Sequence, residues 1–363
     1  MMIESNHVVA AGHEAARVVL VVLLSAALIA PPTPVRADRP AKPLARYDRQ
    51  IDAAVTKALA FLAKSQQPNG VFPSALGNNT AVTSLCVMAF LAKGHTPGCG
   101  PYGEVINNGI DVVLAGQHPN GMLVGKPTHG PMYSHAISTL MLSEVSGMVS
   151  SERQKRIDAA LPRALRLLLD SQRIKKPALM QGGWRYQPTS ADSDISCSGW
   201  SLMALRSARN AGAAVPKDAI DAGVKFIMNC RTPDNGFAYQ PGASSGYART
   251  ATALLCLELC GKHRDEAAIG AAEWILKHMP ANYGGTFFYY WLYYASQGMF
   301  QIGGDYWVQF ATWMYEMVLK SQQADGSWLA GSSHEAAPGA CYATAISVLA
   351  MSVTYRQLPI YQR

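Results

Sequence analysis

Charge is scarce in this chain. Of its 363 residues only 15% are Asp, Glu, Lys or Arg, while 49% are apolar; an average soluble domain is about a quarter charged. That balance suits a chain with a sizeable buried core. The net charge of +7 comes without a dense Lys/Arg run interleaved with aromatics, so nothing points to nucleic acid as a partner. Also missing are a P-loop, a dinucleotide-binding glycine fingerprint, a G-x-S-x-G elbow and an H-E-x-x-H helix. No Cys-x-x-Cys pair offers a strong metal site. The seven cysteines are an odd number, so at least one has no partner within the chain. Most sit in helical apolar patterns and read as buried thiols; Cys86 and Cys99 are a possible pair that only geometry decides.

Long apolar runs are missing too, except near the start. Val18 to Ala30 is apolar, Arg17 precedes it, and Val35-Arg36-Ala37 follows as a small-residue cleavage site. The run is too short to span a bilayer, and no Cys stands at the cleavage point for a lipid anchor. We therefore expect a signal peptide over 1–37, a tether over 38–46, one domain over 47–363, export to a periplasmic or extracellular space, and no further membrane span.

What the chain has is a repeated sentence. Gln322-Gln323-Ala324-Asp325-Gly326-Ser327-Trp328 echoes Gln66-Gln67-Pro68-Asn69-Gly70-Val71-Phe72. Weaker copies are Gln117-His118-Pro119-Asn120-Gly121, Gly182-Gly183-Trp184, Asp234-Asn235-Gly236-Phe237 and Gly284-Gly285-Thr286-Phe287. The copies recur at roughly 40 to 60 residues, the mark of a repeat architecture. Each unit reads as helix, turn, helix. First helices fall near Ile51–Ser65, Tyr102–Gln117, Glu152–Gln172, Pro216–Cys230, Asp265–His278 and Trp307–Gln323. Second helices fall near Thr80–Ala92, Met132–Val145, Asp194–Ala211, Tyr247–Gly261, Phe288–Phe300 and Cys341–Val353. The second helices are nearly free of charge and apolar around most of their surface, which predicts burial on more than one side. They form an inner ring, the charged first helices an outer one, and six hairpins close into an all-α barrel. In the turns, Asn-Gly and Asp-Gly supply positive φ, the Gln caps helix carbonyls, and the Trp or Phe packs across to the next unit.

These motifs resemble the QW repeats of the squalene cyclase and protein prenyltransferase superfamily, over roughly residues 47 to 353. Gly182-Gly183-Trp184-Arg185-Tyr186, Ser198-Gly199-Trp200-Ser201-Leu202-Met203-Ala204-Leu205 and Tyr290-Trp291-Leu292-Tyr293-Tyr294-Ala295-Ser296-Gln297 look closest to exported single-domain members of undefined function. The resemblance implies an α6/α6 toroid.

Aligning the inner helices by their apolar cores gives a polar column, Thr83, His135, Ser198, Thr250 and Thr344, with Tyr290 or Tyr293 from the fifth helix. Such side chains either ring one end of a cavity or back-bond within their helices; His135 fits back-bonding least. Asp194 lies one turn before Ser198. Class II terpene cyclases carry a D-x-D-D motif whose middle Asp protonates an alkene; Asp192 and Asp194 are present here, but Ile195 replaces the last Asp. Asp194 is thus a candidate acid, with His135 nearby, or else a helix cap. Prenyltransferase β subunits bind zinc through Asp, Cys and His, but the D-x-C spacing is absent here, and we expect no metal or cofactor. Tyr290, Tyr293, Tyr294 and Gln297 share a helical stripe that points inward. Aromatic faces of this kind stabilise carbocations, stack on sugars or hold lipids.

Two readings remain open. In one, the toroid binds an apolar small molecule, a glycan or a protein partner through its aromatic cavity or rim. In the other, it is a divergent isoprenoid cyclase or transferase with Asp194 as general acid. A deep closed pocket ending at Asp194 favours the second; a filled centre favours the first.

Overall fold

The computed structural model describes residues 43–362 apart from 78, 127–129, 282 and 332, and only the backbone of Ser333 and His334. The expected signal peptide and most of the tether lie outside the described residues. Of the described part of the tether, Leu44 is buried in the core, just before the 3-10 turn Ala45–Tyr47, while its neighbours are exposed.

Six outer helices alternate with six inner ones. The outer helices are α1 (Asp48–Ser65), α3 (Gly103–Ala115), α5 (Ser151–Arg173), α7 (Lys217–Asn229), α9 (Glu266–Lys277) and α11 (Gly304–Lys320). The inner ones are α2 (Thr80–Ala92), α4 (Pro131–Val145), α6 (Ile195–Asn210), α8 (Tyr247–Leu259), α10 (Phe288–Ile302) and α13 (Gly339–Met351); α12 (Ser333–Ala336) is a single turn. Each inner helix packs on the next, and α13 returns to α2, so the ring closes. Each outer helix lies behind one inner helix, α1 behind α13 and α11 behind α10. The all-α toroid expected from the repeats is therefore what forms. Residues of α2 are buried at every position but Ala81, as expected of a helix walled in on all sides. By contrast α5 buries one stripe, including Ile157, Leu161, Ala164, Leu165 and Leu168. Among the described residues there are only isolated β-bridges and no strand, and no helix is long and apolar enough to cross a membrane.

The turns are the joints of the ring. The expectation that the Gln caps its own helix is corrected. Gln172 Nε2 donates to Gly182 O (2.8 Å) and to Ala219 O (2.8 Å) in the next outer helix, and Gln322 Nε2 donates to Gly326 O (2.9 Å) and Ala54 O (2.9 Å). Gln66 and Gln117 repeat the pattern. Each amide thus ties its turn to the following outer helix, and Gln322 closes the last unit onto α1. Gly182 and Gly326 adopt positive φ, and a Cβ there would meet Ala222 O at 2.4 Å and Lys57 O at 2.5 Å, so only glycine fits. The indoles reach back instead: Trp184 Nε1 donates to Leu168 O and Trp328 Nε1 to Val318 O, both 2.8 Å. In the fourth copy Asn235, not Gly236, carries positive φ, and Arg231 replaces Gln, bonding Asn235 Oδ1 and Glu266.

All seven cysteines are free; Cys86 is buried and Cys99 exposed, so the two are not paired.

Candidate ligand site at the inner-helix N-terminal end

The polar column is real, but its atoms are spent on the turns. Trp184 N donates to Ser198 Oγ (2.8 Å), Phe237 N to Thr250 Oγ1 (3.0 Å), Trp328 N to Thr344 Oγ1 (3.0 Å) and Phe72 N to Thr83 Oγ1 (3.5 Å). His135 is the counterpart in the second unit: Nδ1 accepts from Leu123 N (3.0 Å) and Nε2 donates to Ala164 O (3.1 Å). Burial lowers its pKa to about 4, and the neutral ring is satisfied at both nitrogens. Thr83, His135, Ser198, Thr250 and Thr344 therefore fasten each turn to its inner helix, which corrects the expectation that they ring a cavity.

The opposite face of each inner helix lines the barrel. Two residues earlier is about 200° round a helix, and there stand Ala81, Tyr133, Ser196, Ala248 and Tyr342, each half-buried. On α10 the matching half-buried residue is Tyr290, whose hydroxyl crosses to Ser196 O on α6 (3.4 Å). Burial pushes the phenols of Tyr133, Tyr290 and Tyr342 up, and the residues are only half-buried as wholes. These half-buried residues gather at the N-terminal end of the inner helices, the mouth of the barrel.

One turn below, the barrel is filled. Trp200 stacks on Tyr293 (centroids 4.8 Å apart, 23° between planes) and tilts against Tyr294 (5.2 Å). Tyr293, Tyr294 and Gln297 do point inward from α10, but all three are buried. The Tyr293 hydroxyl pairs with that of Tyr361 (2.8 Å), and Gln297 donates to Leu349 O (3.0 Å). Trp291 faces outward, against Phe310 and Trp313. A hollow of about 10 Å³ lies at the base beside Gln297, Ser352 and Tyr361, and an open depression of about 570 Å³ lies by the first two turns, along Val71, Val112, His118 and Lys126. Neither includes Asp194 in its lining.

Asp194 sits under the mouth and is fully buried. Its Oδ1 caps α6, accepting from Ser196 N and Cys197 N, both at 2.9 Å. Its Oδ2 receives no hydrogen bond. Arg185 Nε stands 3.8 Å from Oδ2 but is engaged by Asp192 and lies over the rings of Tyr186 (5.0 Å) and Tyr239 (5.7 Å). The Tyr239 hydroxyl is near enough to favour the carboxylate, yet its hydrogen bond is to Tyr186. Desolvation outweighs these and pushes the carboxyl up to about 6. A second carboxylate serves α10, which starts at Phe287 without a side-chain cap of its own. Glu335 accepts from Tyr289 N (3.2 Å) and Tyr290 N (2.9 Å), and the Tyr342 hydroxyl reaches it at 3.4 Å.

The family model of the prenyltransferase alpha-alpha toroid domain matches residues 104–287. The chain belongs to this family. Among solved structures, this toroid resembles the type II terpene cyclase MstE from Scytonema, with a TM-score of 0.53 and 16% identity over 85% of this chain and 100% of that one. The same cyclase in complex with geranylgeranyl dihydroxybenzoate as substrate gives 0.54 at 14% identity, over 85% and 98%. A protein from Actinoplanes gives 0.51 at 13%, over 83% and 98%. At such identities the likeness shows the fold alone. None of the curated proteins matches this chain.

Zinc, which some toroids of this superfamily hold, does not fit these residues. His135 has both nitrogens committed, Asp194 Oδ1 is a helix cap, and burial pushes the Cys197 thiol well up. No three His, Cys, Asp or Glu side chains come together among the described residues. Sequence reasoning found Asp194 and Tyr290 but missed Tyr133, Arg185, Tyr239, Glu335 and Tyr342. The signal for Tyr133 and Tyr342 was present: they fall two residues before the column.

Proposed function

We propose that this toroid is an exported binding protein that takes an apolar, prenyl-like ligand at the tyrosine-lined mouth. The observation that carries this reading is the half-buried set Tyr133, Tyr290 and Tyr342 above a barrel sealed by Trp200, Tyr293 and Tyr294. Aromatic rings with reachable faces supply apolar contact area, while a filled axis leaves no chamber in which to fold a long polyene. Exposed apolar side chains on the segments leading into inner helices, Tyr247, Phe287 and Leu329, extend the rim. The bound substrate of MstE shows that this fold accommodates a geranylgeranyl chain elsewhere.

Native mass spectrometry of the purified protein, after incubation with geranylgeranyl lipids, tests the reading. The wild type retains the lipid, and the combined Tyr133→Ala, Tyr290→Ala and Tyr342→Ala variant, destabilised but still folded by circular dichroism at the temperature of the measurement, loses it. Equal retention by both proteins, or none by either, refutes it.

A second reading, acid catalysis by Asp194, is favoured by one observation: the carboxyl is dry, braced at Oδ1, and raised to about 6. Those are the conditions a protonating acid needs. This reading demands product from a polyprenyl substrate, at a rate that rises as pH falls through about 6 and vanishes in Asp194→Asn. Intact substrate after long incubation at pH 5 removes it.

A further inference from the structure

All six outer helices run towards the mouth, and their charges run with them. Each carries a carboxylate in its first turn, at the base: Asp48, Glu104, Glu152, Asp218, Glu266 and Asp305. At the mouth, α1, α9 and α11 carry Lys64, Lys277 and Lys320 in their last turns. Acid at a helix start and base at its end suit each dipole, but in a ring of parallel helices they also set the two ends of the molecule apart in charge. Lys126 and Lys175, on the segments leading into α4 and α6, add to the mouth. All five lysines are exposed, and none pairs with a carboxylate among the described residues. The base differs: Lys93, Lys217 and Lys262 there pair with Asp52, Asp221 and Asp265. Carboxylates at the mouth are engaged by other donors. Asp192 holds Arg185, Asp234 accepts from Ser245 Oγ (2.8 Å) and Trp274 Nε1 (2.9 Å), and Asp325 accepts from Ser327 N (2.9 Å).

The same end presents apolar side chains to solvent. Leu76, Leu179, Tyr247, Phe287 and Leu329 stand at or just before inner-helix starts, from 36% exposed at Leu76 to 60% at Leu179. Met148, after α4, is the one other exposed large apolar side chain among the described residues, and it lies at the base. Scattered singly, such residues need no account; gathered at one end they mark an interaction face. Phe287 departs furthest from its repeat. The turn aromatics Phe72, Trp184, Phe237 and Trp328 are buried, whereas Phe287 is exposed. It also takes φ of 55°, a left-handed conformation costly for a bulky residue. Leu329 stands out from a fastened backbone, since its carbonyl accepts from the Tyr289 hydroxyl at 2.7 Å.

We propose that the mouth end docks on an anionic phospholipid surface, with Leu179, Tyr247, Phe287 and Leu329 entering the interfacial layer and the unpaired lysines meeting the lipid phosphates. Apolar contact and attraction to acidic head groups together are what hold a peripheral protein at a bilayer. No spanning helix is needed, and there is none among the described residues. The inference stands on the rim and not on the tyrosines, so it does not depend on a ligand entering between them.

The test reads which end meets lipid. An environment-sensitive dye is attached to Leu329→Cys at the mouth or to Met148→Cys at the base, in full chains whose exposed native thiol is removed by Cys99→Ser. Vesicles are phosphatidylcholine with or without phosphatidylglycerol. On anionic vesicles the emission of the mouth dye shifts to the blue and that of the base dye does not. Without phosphatidylglycerol the same shift needs about 10-fold more lipid or fails to appear. Combining Lys64→Gln, Lys277→Gln and Lys320→Gln raises the anionic lipid required by about 10-fold or more; these exposed side chains make no ion pair that folding depends on. Equal shifts at both dyes, as when the apolar run 18–30 alone holds the chain to lipid, overturn the proposal. So do a shift at the base alone, indifference to phosphatidylglycerol or to the lysines, and no shift at all. In the last case, a dimer in sedimentation assigns the face to a second copy of the chain. The ligand test on Tyr133, Tyr290 and Tyr342 is read without vesicles, so the two readings fail separately.

Discussion

Both ends of this barrel bury carboxylates, and two of them, Glu144 at the base and Asp194 at the mouth, are treated differently. At the base, Glu144 in the last turn of α4 has both oxygens in use: Ser207 donates to one and Ile360 N to the other (3.1 Å). The C-terminal segment there is fastened further by Tyr361, whose hydroxyl meets Tyr293 and whose carbonyl accepts from Gln301 Nε2 (3.3 Å). At the mouth, Asp194 has one oxygen in use and one without a donor, under rings that solvent reaches. A satisfied buried polar group is a structural device, and an unsatisfied one calls for an explanation. For these two carboxylates the contrast makes Glu144 an architectural group and leaves Asp194 as the one a binding site at the mouth would have to explain; at the base, buried Gln297 Oε1 and Ser352 Oγ also lack partners.

The comparison breaks most visibly at the base. Ending the chain after Arg356 removes Leu358, Ile360 and Tyr361, all at least 96% buried, since their exposures are 4%, 3% and 4%. At about 1.5–3 kcal/mol for each buried side chain, and with Glu144 left without Ile360 N, the loss reaches roughly 5 kcal/mol or more. Urea unfolding reads it directly. Unchanged stability would mean the segment is no plug.

Proton linkage sharpens the comparison next. Burial raises Glu144 from 4.5 to about 7 and Asp194 from 3.8 to about 6. Both groups hold a proton in the folded state over a range where the unfolded chain has released it. Their contribution is fully present below the unfolded value and is lost as pH rises through the folded one. For Glu144 the loss spans about pH 4.5 to 7 and amounts to roughly 3 kcal/mol at most. His135 works in the opposite direction: its pKa falls from 6.5 to about 4, so stability is lost as pH falls through that window. The wild-type profile is therefore flatter than either end alone. The difference between Glu144→Gln and wild type isolates the base. Gln donates to Ser207 and accepts from Ile360 N, as protonated Glu does, so the variant gains on wild type between pH 5 and 8. A pH-independent difference would show that Glu144 keeps an ordinary pKa.

Much of this toroid was legible in the sequence because its repeat is written in the turns. Thr80–Ala92 emerges from the apolar pattern at its observed bounds, and the charge-free inner helices announce their burial. The facing of those helices was not legible. A helix apolar all round has no amphipathic stripe to orient it, so the polar residue in each was assigned inward when it belongs to the turn behind. Leu292 stands where the fifth column residue should be, two after Tyr290, and carries no polar atom to mark the register. Glu335 was hidden for another reason: it comes from the single-turn helix α12 and acts on α10, a contact of sequence separation 45 to Tyr290. The C-terminal plug has no periodicity at all, only buried apolar residues between two short turns.

A smaller effect separates cost from function at the mouth. If Asp194 Oδ2 is kept for a ligand, the unliganded protein carries its desolvation. Replacing it by Asn keeps the cap on Ser196 N and Cys197 N while removing the charge, which stabilises the free protein at pH 8 by about 1 kcal/mol. Arg185 limits the gain, since its guanidinium 3.8 Å away favours the carboxylate. The smallest effect tests the column. Thr250→Val removes the acceptor of Phe237 N and costs about 1 kcal/mol, with no change in ligand binding, because that hydroxyl faces its turn. Should Asp194→Asn destabilise and Thr250→Val abolish binding, the faces of the inner helices have been assigned the wrong way round. A gain at Asp194 with a small, binding-silent loss at Thr250 fixes the mouth as the side of the barrel where stability has been given up for recognition.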